Sequence, residues 1–255
     1  LLEKMAEEIY REWFVRLRFP GHEHTPVHKG VPEGWTEEYL ADAFKFTGGG
    51  TPSKEQSRFW DGGEVNWYTP SDITASEGIF LSASGTRCTE EGVRSSSARM
   101  FPEYSIMLTS RATIGAIGIN TTRACTNQGF ISCMPNERFP LVFLYHWLRL
   151  AKSHFEMLSS GATFAELTKG TFKKIKILRP TSALVGAYED QGQPIFKLIE
   201  NLQGQIQEAT KTRNLLLNRL ISGKLRVDDL EIQFPPSMRE EVGNEGAESR
   251  NSPAA

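Results

Sequence analysis

The chain has 255 residues, 39% hydrophobic and 24% charged, with a formal net charge of -2, which suits a globular protein of one large domain or two small ones. So even a balance argues against blanket affinity for nucleic acid, and no apolar run approaches the ~20 residues of a membrane span. Cys88, Cys125 and Cys133 form no C-x-x-C pair and cannot all be bridged, which fits a reducing, cytoplasmic compartment and thiols acting as small buried hydrophobes.

In chain order, the first predicted element is a helix in LLEKMAEEIYREWFVRLRFPG. Leu2, Met5, Ile9 and Trp13 fall on one stripe with Leu1, Phe14 and Leu17 near it, and Pro20 and Gly21 stop it. The sequence starts at Leu1 without initiator Met or secretory signal, so this helix reads as the tail of something longer. The whole then reads as a C-terminal piece of a larger protein. His22, His24 and His28 in the linker that follows lack the supporting ligands of a metal site, and no metal is expected there.

Residues 31–180 alternate strand signals with Gly, Pro, Ser and Thr turns. Strands are expected at 64–69, 105–109, 114–120, 129–134 and 174–178. A helix is expected at 139–158, with Pro140 in its first turn and Leu141, Leu144, Tyr145, Leu148, Phe155 and Leu158 facing inward. The pattern predicts a loop-rich, β-containing domain of the α+β class, whose loops are the natural place for a recognition site.

Four of those loops carry concentrated polar chemistry. TGGGTPSKEQSRFW (47–60) has three glycines for close backbone approach, and Thr51, Ser53, Lys54 and Arg58 as donors for phosphate or base edges. Its spacing is not that of a P-loop. NWYTPSDI (66–73) ends an aromatic strand in a turn containing Ser71 and Asp72; here Trp67 and Tyr68 would alternate between core and solvent. TSRATIG (109–115) places Arg111 and Thr113 in a bend, where a guanidinium suits guanine O6 and N7. CTNQGF (125–130) sets Asn127 beside Gln128, amides that match the N6 and N7 edge of adenine and equally serve loop backbone.

Charge is unevenly placed along the chain. Residues 138–179 carry eight Lys or Arg against Glu156 and Glu166, whereas 181–255 carry eight basic and eleven acidic residues. A basic stretch followed by an acidic one fits either local phosphate contact or a solvated charged face.

From 195 to 227 a long amphipathic helix is predicted, with Ile195, Ile199, Leu202, Ile206, Ala209, Leu216 and Leu220 spaced as a coiled-coil seam. Such a seam needs a second helix, in this chain or another. The alternative is a helix lying on its own domain's core. Beyond Gln233 the composition is rich in Pro, Glu, Ser, Gly and Asn, and disorder is expected. The resulting division is a helix end at 1–19, a linker at 20–34, a recognition domain at 35–187, a spacer helix at 188–227 and a tail at 228–255.

Taken in order, EEIYREWFVRLRFPG, PEGW, GGGTPSK, WDGGEVNWYTPSDI, SSSARMFP, TSRATIG, NQGF, GATFAELTKGTFKKIKI and NLLLNRLISGKLRV resemble the specificity subunit of type I restriction-modification systems. The likeness is to its second half: the end of a central helix, the second target-recognition domain and the C-terminal spacer helix. It implies a non-catalytic reader of one half of a split double-stranded DNA target. Methyltransferase subunits would dock on the helices and a restriction and motor subunit would join, with S-adenosylmethionine, ATP and Mg on those partners. A half-length subunit that pairs with a second copy through its helices is the other arrangement an exposed seam allows. The chain lacks a [DN]-P-P-[YFW] methyltransferase motif and a glycine-rich S-adenosylmethionine loop.

The resemblance implies a DNA face of Thr51, Ser53, Lys54, Ser71, Asp72, Arg111, Thr113, Asn127 and Gln128, with Arg111, Asn127 and Gln128 as base readers. Lys169, Lys173 and Lys174 would add backbone contacts, and Phe164 and Leu167 would anchor their loop. Ile199, Leu202, Ile206, Leu216 and Leu220 would form the helix interface. Two other classes stay open: the recognition segment of a single-chain restriction-methylation enzyme, and a helix-mediated protein scaffold.

Overall fold

A computed structural model describes residues 1–159 and 165–224, and the chain divides into two compact units, Leu1–Gln205 and Ile206–Ala255. Helix α1 (Leu2–Tyr10) continues through a wider turn at Arg11–Val15, and a hairpin of β1 (Val27–His28) and β2 (Val31–Pro32) leads to β3 (Thr36–Tyr39) and α2 (Leu40–Ala43). The next elements are β4 (Lys45–Gly48), β5 (Val65–Tyr68), α3 (Pro70–Thr74), β6 (Phe80–Leu81), β7 (Arg87–Cys88) and α4 (Glu90–Arg94). Then come β8 (Ile106–Thr109), β9 (Ile117–Asn120), β10 (Ala124–Thr126), β11 (Phe130–Met134), α5 (Leu141–Leu150) and α6 (Lys152–Leu158). After residues 160–164, α7 (Lys169–Lys173), β12 (Lys176–Arg179) and α8 (Ser182–Ile221) complete the order. The α+β class expected from the pattern is the one observed.

The central sheet runs β4-β11-β8-β9-β6, antiparallel except where β6 pairs parallel with β9. A smaller sheet, β10-β5-β7, has β10 parallel to β5, and β12 pairs antiparallel with β3. Two consequences position the loops. Since β4 and β8 both lie antiparallel to β11, their C-terminal ends share one edge with the start of β11. Since β10 and β5 are parallel, Thr126 and Tyr68 end side by side. One face of the central sheet carries Ile106, Leu108 and Ile131 against Phe139, Phe143, Leu144 and Phe172.

The five predicted strands are present, four with trimmed ends and the fifth shifted from 174–178 to Lys176–Arg179, and residues 114–116 belong to the turn before β9. The 139–158 helix is two helices broken at Ala151, and Pro140 caps the first from outside it. Along α1 and the wider turn that continues it the buried residues are Ala6, Tyr10 and Trp13, while Met5 is 49% exposed. The predicted stripe is therefore rotated, because Tyr10, Trp13 and Phe14 pack on Tyr188 and outweigh the smaller aliphatics. Cys88, Cys125 and Cys133 are free and buried, as small hydrophobes are.

The long helix α8 starts at Ser182, ahead of the spacer helix predicted from 188 and of the seam read from 195, and includes Pro194. Within the first unit it buries Leu184, Val185, Tyr188, Gly192, Phe196 and Ile199. Ile199 is thus corrected from helix interface to domain core, since it packs in the main hydrophobic cluster. Leu202, Ile206, Leu216 and Leu220 remain exposed, from 38% to 60%. The predicted helix end at 225–227, the tail at 228–255 and Phe164 lie outside the described residues. Among the described residues no helix is long and apolar enough to cross a membrane.

Candidate nucleic-acid interface

The strand directions bring all four polar loops to one end of the sheets. The 47–60 loop leaves β4 and meets the 125–130 loop, where the Gly50 N–H donates to the Thr126 carbonyl at 2.8 Å and the Thr51 hydroxyl donates to Gln128 Oε1 at 2.7 Å. From there the Asn127 N–H donates to the Tyr68 carbonyl at 3.0 Å, at the head of the 66–73 loop. The Ser110 N–H donates to the Gly129 carbonyl at 2.8 Å and ties in the 109–115 loop. Residues separated by up to 77 positions are thereby made neighbours.

Not every side chain in this set is free to meet a ligand. Asp72 is committed to the fold: Oδ2 accepts from the Thr69 N–H and hydroxyl, both at 2.7 Å, and Oδ1 accepts from the Gly85 N–H at 2.8 Å. It completes a capping box on α3 and pins a second loop, so its expected place on the DNA face is corrected to a supporting one. Asn127 is half committed, with Oδ1 accepting from the Gly129 N–H at 2.9 Å. Gln128, Ser53, Lys54 and Ser71 are exposed, and Thr51 and Asn127 are partly so. Arg111 and Thr113 are exposed on either side of Ala112, whose φ of +58° is left-handed and costs a non-glycine residue about 1–3 kcal/mol. Arg111 is paired with Glu166 at 2.9 Å.

Trp67 and Tyr68 are both buried, contrary to the expected alternation. Strand β5 is covered on both faces: Trp67 sits in one apolar cluster with Val65 and Cys125, and Tyr68 in another with Phe101 and Phe130. Burial raises the Tyr68 phenol well above its ordinary pKa, and it donates to the Leu81 carbonyl at 3.0 Å as a neutral group.

Of the basic residues at 138–179, ion pairs occupy Arg138, Arg149, Lys152, Lys176 and Arg179. Among the described residues Lys169, Lys173 and Lys174 have no ion-pair partner, and all three are exposed. Lys169 lies over Gly48, its Nζ 2.9 Å from where a Cβ would be, and so joins the loop edge. Lys173 lies at the other end of β4, in a groove with Lys45 and Arg138.

Sequence reasoning passed over Glu166, Arg99 and the roles of Trp60 and Trp67. Arg99 is exposed beside Ala98, whose backbone nitrogen lies 2.4 Å from a Cβ built on Gly50. A Ser-rich run ending in Arg was the available signal. Glu166 carried none, since its partner is fixed only by the bridge between Arg111 and Glu166.

The first unit is an α+β domain whose four polar loops gather at one end of its sheets. Residues 32–218 match the type I restriction modification DNA specificity domain, and the chain belongs to that family. Among its relatives, the type I restriction enzyme MjaIX specificity subunit of Methanocaldococcus jannaschii is 34% identical over 188 residues, 73% of this chain and 42% of that protein. The HindI specificity subunit of Haemophilus influenzae is 27% identical over 198 residues, 76% of this chain and 42% of that protein. The chain therefore spans less than half the length of these curated relatives. The HsdS subunit from Thermoanaerobacter tengcongensis shares the fold with a TM-score of 0.52 at 15% identity, covering 88% of this chain and 52% of that one.

Proposed function

We propose that this chain is the DNA-reading half of a type I restriction-modification specificity subunit, itself non-catalytic. It holds one part of a split duplex target in the cytoplasm and presents it to methyltransferase subunits docked on its helices, with a restriction and motor subunit joining for cleavage. The observation that carries the reading is the convergence of four polar loops on one sheet edge, inside the stretch that matches the family. S-adenosylmethionine, ATP and Mg belong to the partners, where a flipped adenine would be methylated.

On this chain, Arg111 offers a planar fork for guanine once released from Glu166, and the Gln128 and Asn127 amides suit adenine. Thr51, Ser53, Lys54, Ser71, Thr113 and Lys169 fix register through phosphates, with Lys173 and Lys174 further from the loop edge. Leu202, Ile206, Leu216 and Leu220, exposed on α8, offer an apolar face to a partner helix. That helix belongs either to the rest of a full-length subunit or to a second copy of this chain.

The test is to co-express the chain with a cognate methyltransferase subunit and map methylated adenines in the host genome. A new split motif is expected, palindromic if two copies act together. Intact methyltransferase binding with no new methylation would mean that another reading half is required, and absence of any salt-sensitive DNA binding would favour a scaffold instead.

A further inference from the structure

The 47–60 loop is closed by two tryptophans. Trp67 on β5 is buried, and its indole N–H donates to the Gly50 carbonyl at 2.9 Å. Trp60 stands edge-on to it, with ring centroids 5.1 Å apart and planes at 83°. Its own indole N–H donates to the Ser53 carbonyl, also at 2.9 Å. Two rings in contact thus grip both ends of residues 50–53, and Thr51 between them is tied to Gln128.

The returning arm of the loop is anchored separately. Phe59 is buried, its carbonyl accepts from the Thr89 N–H at 2.9 Å, and a Cβ on Gly92 would lie 2.8 Å from that carbonyl. Trp60 is therefore held from behind and reaches forward to Ser53. Lys54 follows directly, exposed and without an ion-pair partner among the described residues. Packing by itself does not explain Trp60, because a phenyl ring would keep the edge-on contact. What the indole adds is one donor, and that donor is aimed at loop backbone. A loop restrained before it meets its ligand loses less freedom on binding and presents its donors at set positions.

We propose that Trp60 and Trp67 are positioning residues, an indole clamp that pre-sets the 50–54 loop for reading DNA sequence. The clamp rests on geometry alone, whereas its use in reading rests on the function proposed above.

Trp60→Phe in the full chain separates the two parts, since it keeps a ring and removes the N–H. Amide hydrogen exchange on the free protein is expected to quicken at residues 51 and 53–56, with little change in Tm. Enrichment from duplexes randomised over about one helical turn is expected to lose about three- to ten-fold in discrimination between the selected sequence and its single-base variants, the worth of one hydrogen bond. Affinity for the unselected pool should stay the same, whereas Lys54→Ala should lower affinity for both alike. Unchanged exchange in Trp60→Phe overturns the clamp. Faster exchange with unaltered discrimination overturns its part in reading. If the natural protein enriches no sequence, the proposed function falls with the reading part, and the exchange result still decides the clamp.

Discussion

The guanidinium of Arg111 sits 2.9 Å from the carboxylate of Glu166, and both are partly exposed, at 47% and 35%. Their backbones form a bridge, and the Leu167 N–H donates to the Ser110 carbonyl at 2.9 Å, so the pairing is built into the chain path. An exposed pair of this kind stabilises the fold by about 0–1 kcal/mol at most, which makes it cheap to open. On the function proposed above, its effect would be on specificity: a carboxylate beside the arginine would oppose capture of any phosphate and yield only where a base edge satisfies the fork. Glu166→Gln should therefore raise affinity for unselected duplex and steepen its fall with salt, while Arg111→Ala should relax or abolish sequence choice. Titrations at several salt concentrations distinguish the two. If Glu166→Gln left non-selected binding unchanged, the pair would have no part in discrimination.

Gly49 lies where the 47–60 and 125–130 loops touch. A Cβ there would meet the Asn127 carbonyl at 2.0 Å and the Thr126 carbonyl at 2.3 Å, both backbone atoms that cannot swing aside. Gly49→Ala should destabilise the protein by about 1–3 kcal/mol or more, as overpacking does. Gly204, on α8 with nothing within 4 Å of its Cβ position, makes the control. Its replacement by Ala should stabilise by about 0.4–1 kcal/mol. Urea midpoints compare the two, and equal effects would show that the loop contact relaxes freely.

Polar loops were legible in the sequence because Gly, Pro, Ser and Asn punctuate it locally, and all four were placed. What each side chain does was not, because the deciding partners are remote: Gln128 for Thr51, Glu166 for Arg111, Gly85 for Asp72. The same limit governs α8. Periodicity says that one face is apolar, yet Ile199 and Ile206 occupy equivalent seam positions, the first under the domain and the second 60% exposed. Only tertiary structure tells which neighbour covers a stripe. Strand β5 misled for another reason: alternation assumes a solvated face, and β5 has none, with all four of its residues buried.

His146 sets an acid limit on stability. Burial lowers its pKa from 6.5 to about 4, partly offset by the hydrogen bond to the Val142 carbonyl and by Glu7, with Arg149 adding to the depression. Its Nδ1 lies 2.9 Å from that carbonyl and 2.8 Å from the Tyr188 hydroxyl, which donates in turn to the Ala6 carbonyl at 3.4 Å. The ring is neutral in the folded state. Below pH 6.5 the unfolded chain binds a proton that the folded one does not, so stability is lost as pH falls from 6.5 towards about 4. The slope approaches about 1.4 kcal/mol per pH unit. Glu189, whose carboxyl is raised by burial, acts with the opposite sign as pH falls through its folded value. His146→Gln should flatten the loss between pH 6.5 and 4, read from denaturant midpoints across that range. A variant with the natural protein's pH dependence would place the acid sensitivity elsewhere.

The lysines of α7 separate by position. Lys169 overhangs Gly48 at the loop edge, whereas Lys173 faces the groove that holds Lys45 and Arg138 at the other end of β4. Both are exposed and neither is ion-paired among the described residues, so charge alone makes them equivalent. Of the two, Lys169 is the one placed against a loop residue, Gly48, and on the proposed function it is the one that would share the DNA. Each phosphate contact adds about one unit to the dependence of log affinity on log salt. Lys169→Ala should therefore weaken binding to all sequences alike and flatten that dependence by about 0.9. Lys173→Ala should do less of both. Salt-dependent binding curves on an unselected duplex make the comparison directly. Equal slopes for the two variants would mean that DNA runs along the whole of α7 and not only across its start.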